Sequence, residues 1–291
     1  MDRLVFGCGY LGERVAALWR EAGDTVYVVT RSMESAVAYR EFGYETIVAD
    51  VTEPESFGEL PEVESVLFAV GYDRTSDHSI DKVYSQGVAN VLAALPASVE
   101  QFVYISTTGV YGDAGGEIVD ETTPPDPQRA GGKASLAAEN HLASSRLSRQ
   151  AAVLRLAGIY GPGRIPYLEK LQAGEPIAAP SEGWLNLTHV DDAARVVVAV
   201  DHWLSGRAAS AARLETFNVS DGSPVIRGDY YREVARLIGA PEPKFAEPDA
   251  DSPAAARAAS NKRISNSKLM ETIEVNLKYP SYREGLAAIL K

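Results

Sequence analysis

Arg3-Leu-Val-Phe6 leads into Gly7-Cys-Gly9-Tyr-Leu-Gly12 and then into Glu13-Arg-Val-Ala-Ala-Leu-Trp19. An apolar run, three spaced glycines and an amphipathic stretch follow one another in the order strand, turn, helix. Each glycine has a physical task. Gly7 permits the tight turn off the strand. Gly9, without a Cβ, lets the backbone approach a pyrophosphate, and Gly12 lets the helix pack closely on the sheet. The phosphates then face the helix N-terminus, where free N–H groups and the positive dipole end attract anions. Gly7, Gly9, Tyr10, Leu11 and Gly12 are therefore the first candidate cofactor-binding residues.

The second apolar run, Thr25-Val-Tyr-Val-Val29, ends at Thr30-Arg31-Ser32. A site for NAD carries an acid near here to bond the ribose 2′-OH. No acid occupies positions 30–32, and Arg31 with Ser32 suits a 2′-phosphate. The reading is NADP over NAD.

Strand and helix signals keep alternating. Glu45–Ala49 reads as a third strand ending at Asp50-Val51, and Ser65–Val70 as a fourth, carrying Ala69 towards Gly71. Gln101–Ile105 reads as a fifth and Ala151–Leu156 as a sixth, with a helical pattern over 79–95. Apolar strands separated by helices predict an α/β fold, a Rossmann doubly wound parallel sheet of order 3-2-1-4-5-6. Ligands bind such sheets outside the strands' carboxyl ends, which adds Asp50, Val51, Ala69 and Gly71 to the cofactor set. After Gly161-Pro-Gly163 the elements become short and mixed. Residues 1–160, rejoined by about 187–220, are expected to form the nucleotide-binding domain. Residues 161–186 and 221–291 are expected to form a smaller C-terminal substrate lobe, with 240–261 as a mobile loop or excursion.

The chain has 291 residues, 45% of them apolar, enough for a sizeable core. A net charge of −12 argues against a nucleic-acid partner, which needs a basic face. Twenty arginines against eight lysines fit either a salt-rich cytoplasm or a GC-rich genome. No apolar run approaches the roughly 18 residues of a membrane span. No basic, apolar leader precedes the first strand. Cys8, the only cysteine, makes no intrachain disulfide and fits a reducing compartment. The expectation is a cytoplasmic protein with a small-molecule partner, no nucleic acid and no membrane, with a homodimer as the assembly considered. The four histidines stand at no metal-ligand spacing, so no metal is expected.

The quoted motifs, with Ile105-Ser-Thr-Thr-Gly-Val-Tyr-Gly112, Arg155–Arg164, His189-Val-Asp-Asp192 and Asn261-Lys-Arg-Ile-Ser-Asn266, resemble the extended and atypical short-chain dehydrogenase/reductase superfamily. The tail, from Asn261–Asn266 through Tyr279–Gly285, is similar to a subgroup of NAD(P)-dependent epimerases or dehydratases. That resemblance implies chemistry through a Ser/Thr, a Tyr and a Lys, the lysine lowering the pKa of a phenol that otherwise sits near 10. Thr107 falls at the Ser/Thr place. The Tyr-x-x-x-Lys motif is missing: four residues before Lys133 stands Arg129, and anchoring on Leu136–Glu139 puts Gly131 and Ser135 at the two places. Three schemes stay open. Tyr111 supplies the phenol with Lys133 as its cation, or Tyr160 or Tyr84 reaches in from another loop, or NADP is bound without turnover.

Asn186, His189, Tyr160 and Arg164 are the candidate substrate contacts that the resemblance and the loop positions imply. Asp191 or Asp192 is expected to cap a helix, and Arg155 to pair with a carboxylate. The functional expectation is an NADP-binding oxidoreductase, epimerase or dehydratase acting on a small polar or nucleotide-linked substrate. Its alternative, from another class, is a non-catalytic NADP-binding redox sensor.

Overall fold

Leu4, Val5 and Phe6 are all fully buried, as a strand covered on both faces requires. Val5 joins one core and its neighbours Leu4 and Phe6 the other, because successive side chains point to opposite faces of a sheet. The computed structural model describes residues 1–207, 214–249, 252, 254–255 and 259–291. Seven strands form its central sheet: β1 (Asp2–Phe6), β2 (Thr25–Thr30), β3 (Glu45–Val48), β4 (Ser65–Phe68), β5 (Gln101–Thr107), β6 (Ala151–Leu156) and β7 (Glu215–Val219). The order is β3-β2-β1-β4-β5-β6-β7, and every pairing is parallel. The predicted order of six is present, extended at one edge by β7.

Helices cover both faces. α1 (Gly12–Glu21) and α5 (Val190–Ser205) bury Val15, Ala16, Trp19, Val197, Val200 and Leu204 against the Val5 face. α3 (Gly87–Ala94) and α4 (Ala130–Ala143) bury Val88, Val91, Ala138 and Leu142 against the Phe6 face. The 79–95 pattern is not one regular helix. A π-helical turn, Lys82–Gln86, precedes α3, and within it the Tyr84 hydroxyl accepts a bond from the Tyr72 N–H at 3.1 Å. α2 (Met33–Glu41) begins at Ser32, whose side chain accepts from the Ser35 N–H.

A third apolar core gathers Leu171, Ile177, Val225, Tyr230, Tyr231 and Leu286, outside the sheet. α6 (Arg227–Ile238), α8 (Tyr282–Ile289) and short strand pairs supply it. α7 (Ser267–Thr272) instead sends Leu269 into the Val5-face core. Part of the loop expected over 240–261 lies outside the described residues. Within the described part, Phe245–Ala246 pairs with Ile177–Ala178. The pairing of Arg263–Ile264 with Ile118–Val119 draws the 260–265 segment back over the end of β5.

Candidate functional site

The carboxyl ends of β1, β4 and β5 set the site. Gly7 has a positive φ of 89°, and a Cβ there would lie 2.5 Å from the Ala69 carbonyl carbon and the Val70 nitrogen. A Cβ on Gly12 would overlap the Gly7 carbonyl oxygen. Both positions demand glycine for the turn itself. Gly9 is different: nothing lies within 4 Å of its Cβ position, and the same holds for Gly71 across the crevice. The chain therefore leaves open space where a pyrophosphate would lie, bordered by the N-terminus of α1. Cys8 is buried in this turn, and burial pushes its thiol up to about 12, so it is a packed side chain rather than a nucleophile.

Other cofactor candidates take definite places. Leu11 and Val51 are buried, and Val51 packs against Gly87. The Asp50 carboxylate accepts from the Thr52 N–H and hydroxyl, both at 2.8 Å, and so shapes the turn after β3. Arg31 is exposed and faces Asp73 at 3.6 Å. Between two exposed groups such a pair is weak, so the guanidinium remains open to another anion. Tyr10 donates to the Pro162 carbonyl at 3.1 Å, and the Arg164 guanidinium lies 5.2 Å from its ring centre. Arg164 thus stands beside the glycine turn.

Beyond β5 and β6 a groove of about 200 Å³ opens, lined by Thr107, Arg129, Gly158, Asn186, Ser260 and Lys262 among others. Thr107 Oγ1 accepts from the Gly109 N–H at 3.0 Å. Asn186 Nδ2 donates to the Lys262 carbonyl at 2.9 Å, while its Oδ1 accepts from the Ile264 N–H at 2.7 Å. Both ends of that amide hold the 262–264 segment in place. Lys262 Nζ donates to the Tyr111 carbonyl at 3.2 Å, the Gly112 carbonyl at 3.0 Å and the Ser260 hydroxyl. Burial, then Arg129, pushes the Lys262 ammonium down to about 8. Thr107 and Asn186 are the sequence-predicted residues that this groove brings together. Arg129 and Lys262 were not among them. Arg129 is the residue that counting back four from Lys133 puts at the tyrosine place of the missing motif, Gly131 being the other alignment. Lys262 lay in the quoted Asn261–Asn266 motif, but only the strand pairing at Arg263 shows where that motif goes.

Four predicted site residues are corrected by their surroundings. Tyr111 is 2% exposed; its hydroxyl donates to Asn218 Oδ1 at 3.0 Å and accepts from Arg155 Nη1 at 2.9 Å. Burial raises its pKa. The phenol is tied into a buried network with Arg155 and Glu139, and it does not reach the groove. Tyr160 is equally buried, with its ring against Gly285 and its hydroxyl towards the Ser281 carbonyl. It fills the third core and touches no open space. His189 is buried between Tyr160 and Tyr279, and burial lowers its pKa. Its Nδ1 accepts from the Asp191 N–H at 3.2 Å, so the histidine caps α5 rather than either aspartate. Asp192 instead accepts from the Lys278 and Tyr279 N–H groups, both at 2.8 Å. Lys133 is exposed on the first turn of α4 and does not line the groove. Among the described residues no cluster of three His, Cys, Asp or Glu could hold a metal, and no helix is long and apolar enough to cross a membrane.

One buried acid near the end of β7 carries a pH signature. Asp221 Oδ1 accepts from the Ser223 N–H at 2.9 Å, whereas Oδ2 has no partner among the described residues. Burial pushes its pKa up to about 7, with Glu284 and Asp192 adding to the rise. Between the usual carboxylate range and pH 7 the folded chain keeps a proton that the unfolded chain has released. Stability from this group is therefore full at low pH and is lost as pH rises through 7. Asp221→Asn should remove that slope and make the variant the more stable protein at pH 8, by up to about 4 kcal/mol at 1.36 kcal/mol per pKa unit. Urea unfolding of both proteins at pH 4 and pH 8 checks it: a gap that does not widen with pH contradicts the assignment.

Residues 4–212 match the NAD dependent epimerase/dehydratase family, and the chain belongs to that family. It is 27% identical over 246 residues to Protein YeeZ of Escherichia coli strain K12, covering 83% of this chain and 85% of that protein. A functionally unknown conserved protein from Silicibacter pomeroyi has a solved structure that superposes with a TM-score of 0.75 at 30% identity, covering 99% of this chain and 98% of that one. The Bordetella bronchiseptica enzyme WbmG, solved in complex with NAD and UDP, superposes at 0.78 with 21% identity, covering 99% and 93%; at that identity it shares the fold.

Proposed function

We propose that this chain binds NADP across the carboxyl edge of its sheet and acts on a small polar or nucleotide-linked substrate, by oxidoreduction, epimerisation or dehydration. The observation that carries the reading is the glycine turn that leaves Gly9 and Gly71 facing open space, with Arg31 and Ser32 at the N-terminus of α2. The backbone N–H groups at the start of α1 would hold the pyrophosphate. Arg31 would take the 2′-phosphate as a charge-assisted partner, displacing its weak contact with Asp73. When bound, NADP supplies or accepts a hydride. Thr107, at the mouth of the groove, would hold a substrate oxygen through its hydroxyl. Residues 161–186 and 221–291 are read as the lobe that closes over the substrate.

A second reading, NADP binding without turnover, has one observation in its favour. The phenols of Tyr111 and Tyr160 are buried, and no tyrosine lines the groove among the described residues.

The cofactor choice is tested by titrating NADPH and NADH against wild type and Arg31→Ala. One charge-assisted contact of ~1.5–3 kcal/mol corresponds to at least about a tenfold preference for NADPH, lost in the variant. Equal affinity of wild type for both cofactors would contradict the proposal.

A further inference from the structure

Lys262 is 5% exposed, although lysine is almost never fully buried unless paired. Its ammonium contacts two main-chain carbonyls and one serine hydroxyl, and among the described residues it makes no ion pair. Burying an ammonium without a counter-charge is costly. The neighbouring charge that lines the same groove is a second cation, Arg129. Arg129 Nη2 and Thr107 Oγ1 lie 3.1 and 3.2 Å from the place a Cβ on Gly109 would take, so guanidinium and hydroxyl converge above that glycine. Asp113 is the acid near enough to act on Lys262, and its carboxylate already accepts from the Asn261 N–H at 2.7 Å and the Gly115 N–H at 3.3 Å.

We propose that Lys262 and Arg129, with the Thr107 hydroxyl, form a subsite for an oxyanion of the substrate, a carboxylate or a phosphate. It rests on the reading of this groove as the substrate side of the cofactor crevice. The two cations come from distant parts of the chain, Arg129 at the start of α4 and Lys262 from the segment that pairs with Ile118–Val119. An anion held there supplies a counter-charge to the buried ammonium, which makes no ion pair among the described residues. The position of the subsite beside Thr107 places the anion next to the reacting carbon rather than at a remote end of the substrate. The substrate class is therefore a small carboxylate or phosphate bearing a hydroxyl or carbonyl near that group.

The test uses the full chain saturated with NADPH, so that the cofactor's own phosphate sites are filled. Oxalate and inorganic phosphate are titrated separately by calorimetry at pH 8 in two buffers of different ionisation enthalpy. The expected result is binding of at least one of the two probes, with proton uptake as the ammonium becomes fully charged. Binding by oxalate assigns a carboxylate substrate, and binding by phosphate alone assigns a phosphate ester. Lys262→Met should weaken the bound probe by about tenfold or more and abolish the proton uptake, while Lys262→Arg keeps the affinity. Arg129→Met should weaken it comparably and serves if Lys262→Met does not fold. Failure of both probes to bind wild type overturns the proposal, as does unchanged affinity in the folded methionine variants. NADPH binding, followed by its own fluorescence, judges the cofactor reading separately. If NADPH does not bind, the same titrations on cofactor-free Arg31→Ala protein still decide the oxyanion subsite.

Discussion

Arg155→Met is expected to lose about 3–5 kcal/mol of stability, the typical cost of leaving one partner of a buried ion pair uncompensated. Arg155 Nε donates to Glu139 Oε1 at 3.1 Å and Nη2 to Oε2 at 2.6 Å, a two-pronged pair within the fold. Ser106 Oγ also donates to Glu139 Oε1, at 2.6 Å. Removing the guanidinium strands a carboxylate that is 5% exposed, with Ser106 as its remaining side-chain donor among the described residues. The pair links β6 to α4 and reaches β7 through Tyr111 and Asn218, so its loss loosens the floor beneath the groove. The double variant Arg155→Met/Glu139→Leu should recover most of the loss, because no charge is then left buried. Urea unfolding followed by circular dichroism checks both. A single variant within about 1 kcal/mol of wild type would mean that the ion pair contributes no more than a surface one.

The glycine turn should answer to substitution in two distinct ways. Gly9→Val places its Cβ where, chain neighbours aside, no atom lies within 4 Å, so the melting temperature should be nearly unchanged. The same side chain occupies the space assigned to the pyrophosphate, and NADPH affinity should fall by a hundredfold or more, about 3 kcal/mol. Gly12→Val instead forces its Cβ into the Gly7 carbonyl, so the turn or the seating of α1 must give way, at an overpacking cost of roughly 1–3 kcal/mol or more. Its melting temperature should drop together with cofactor binding. Differential scanning calorimetry beside a fluorescence titration separates the two. A Gly9→Val protein that binds NADPH normally would remove the turn from the cofactor site.

The first half of the fold was legible because its signals are local. An apolar run, the glycine spacing and an amphipathic run lie within the first 19 residues, and their periodicities differ in kind. The site was less legible because its partners are remote. Tyr111 looked available for chemistry until Asn218, 107 residues on, claimed its hydroxyl. His189 was a candidate substrate contact because its segment resembles one that borders the substrate cleft, and the aspartates after it were the expected caps. The histidine itself caps the helix, which frees Asp192 to hold the C-terminal segment. Lys262 lies about 150 residues from the carbonyls it contacts, and no local pattern connects them. Arg129 could be counted to the tyrosine place, but its side chain's position beside Thr107 is a matter of packing.

The proposed cofactor lies across the carboxyl edge with its adenosine end at Arg31 and its nicotinamide end towards Thr107. A crystal structure of the chain soaked with NADP tests this most directly. The predicted result is a pyrophosphate against Gly9 and the first N–H groups of α1, the 2′-phosphate within hydrogen-bond reach of Arg31, and the nicotinamide ring beside the groove that Thr107, Arg129 and Lys262 line. Density for the dinucleotide elsewhere, or a 2′-phosphate turned away from Arg31, would contradict it.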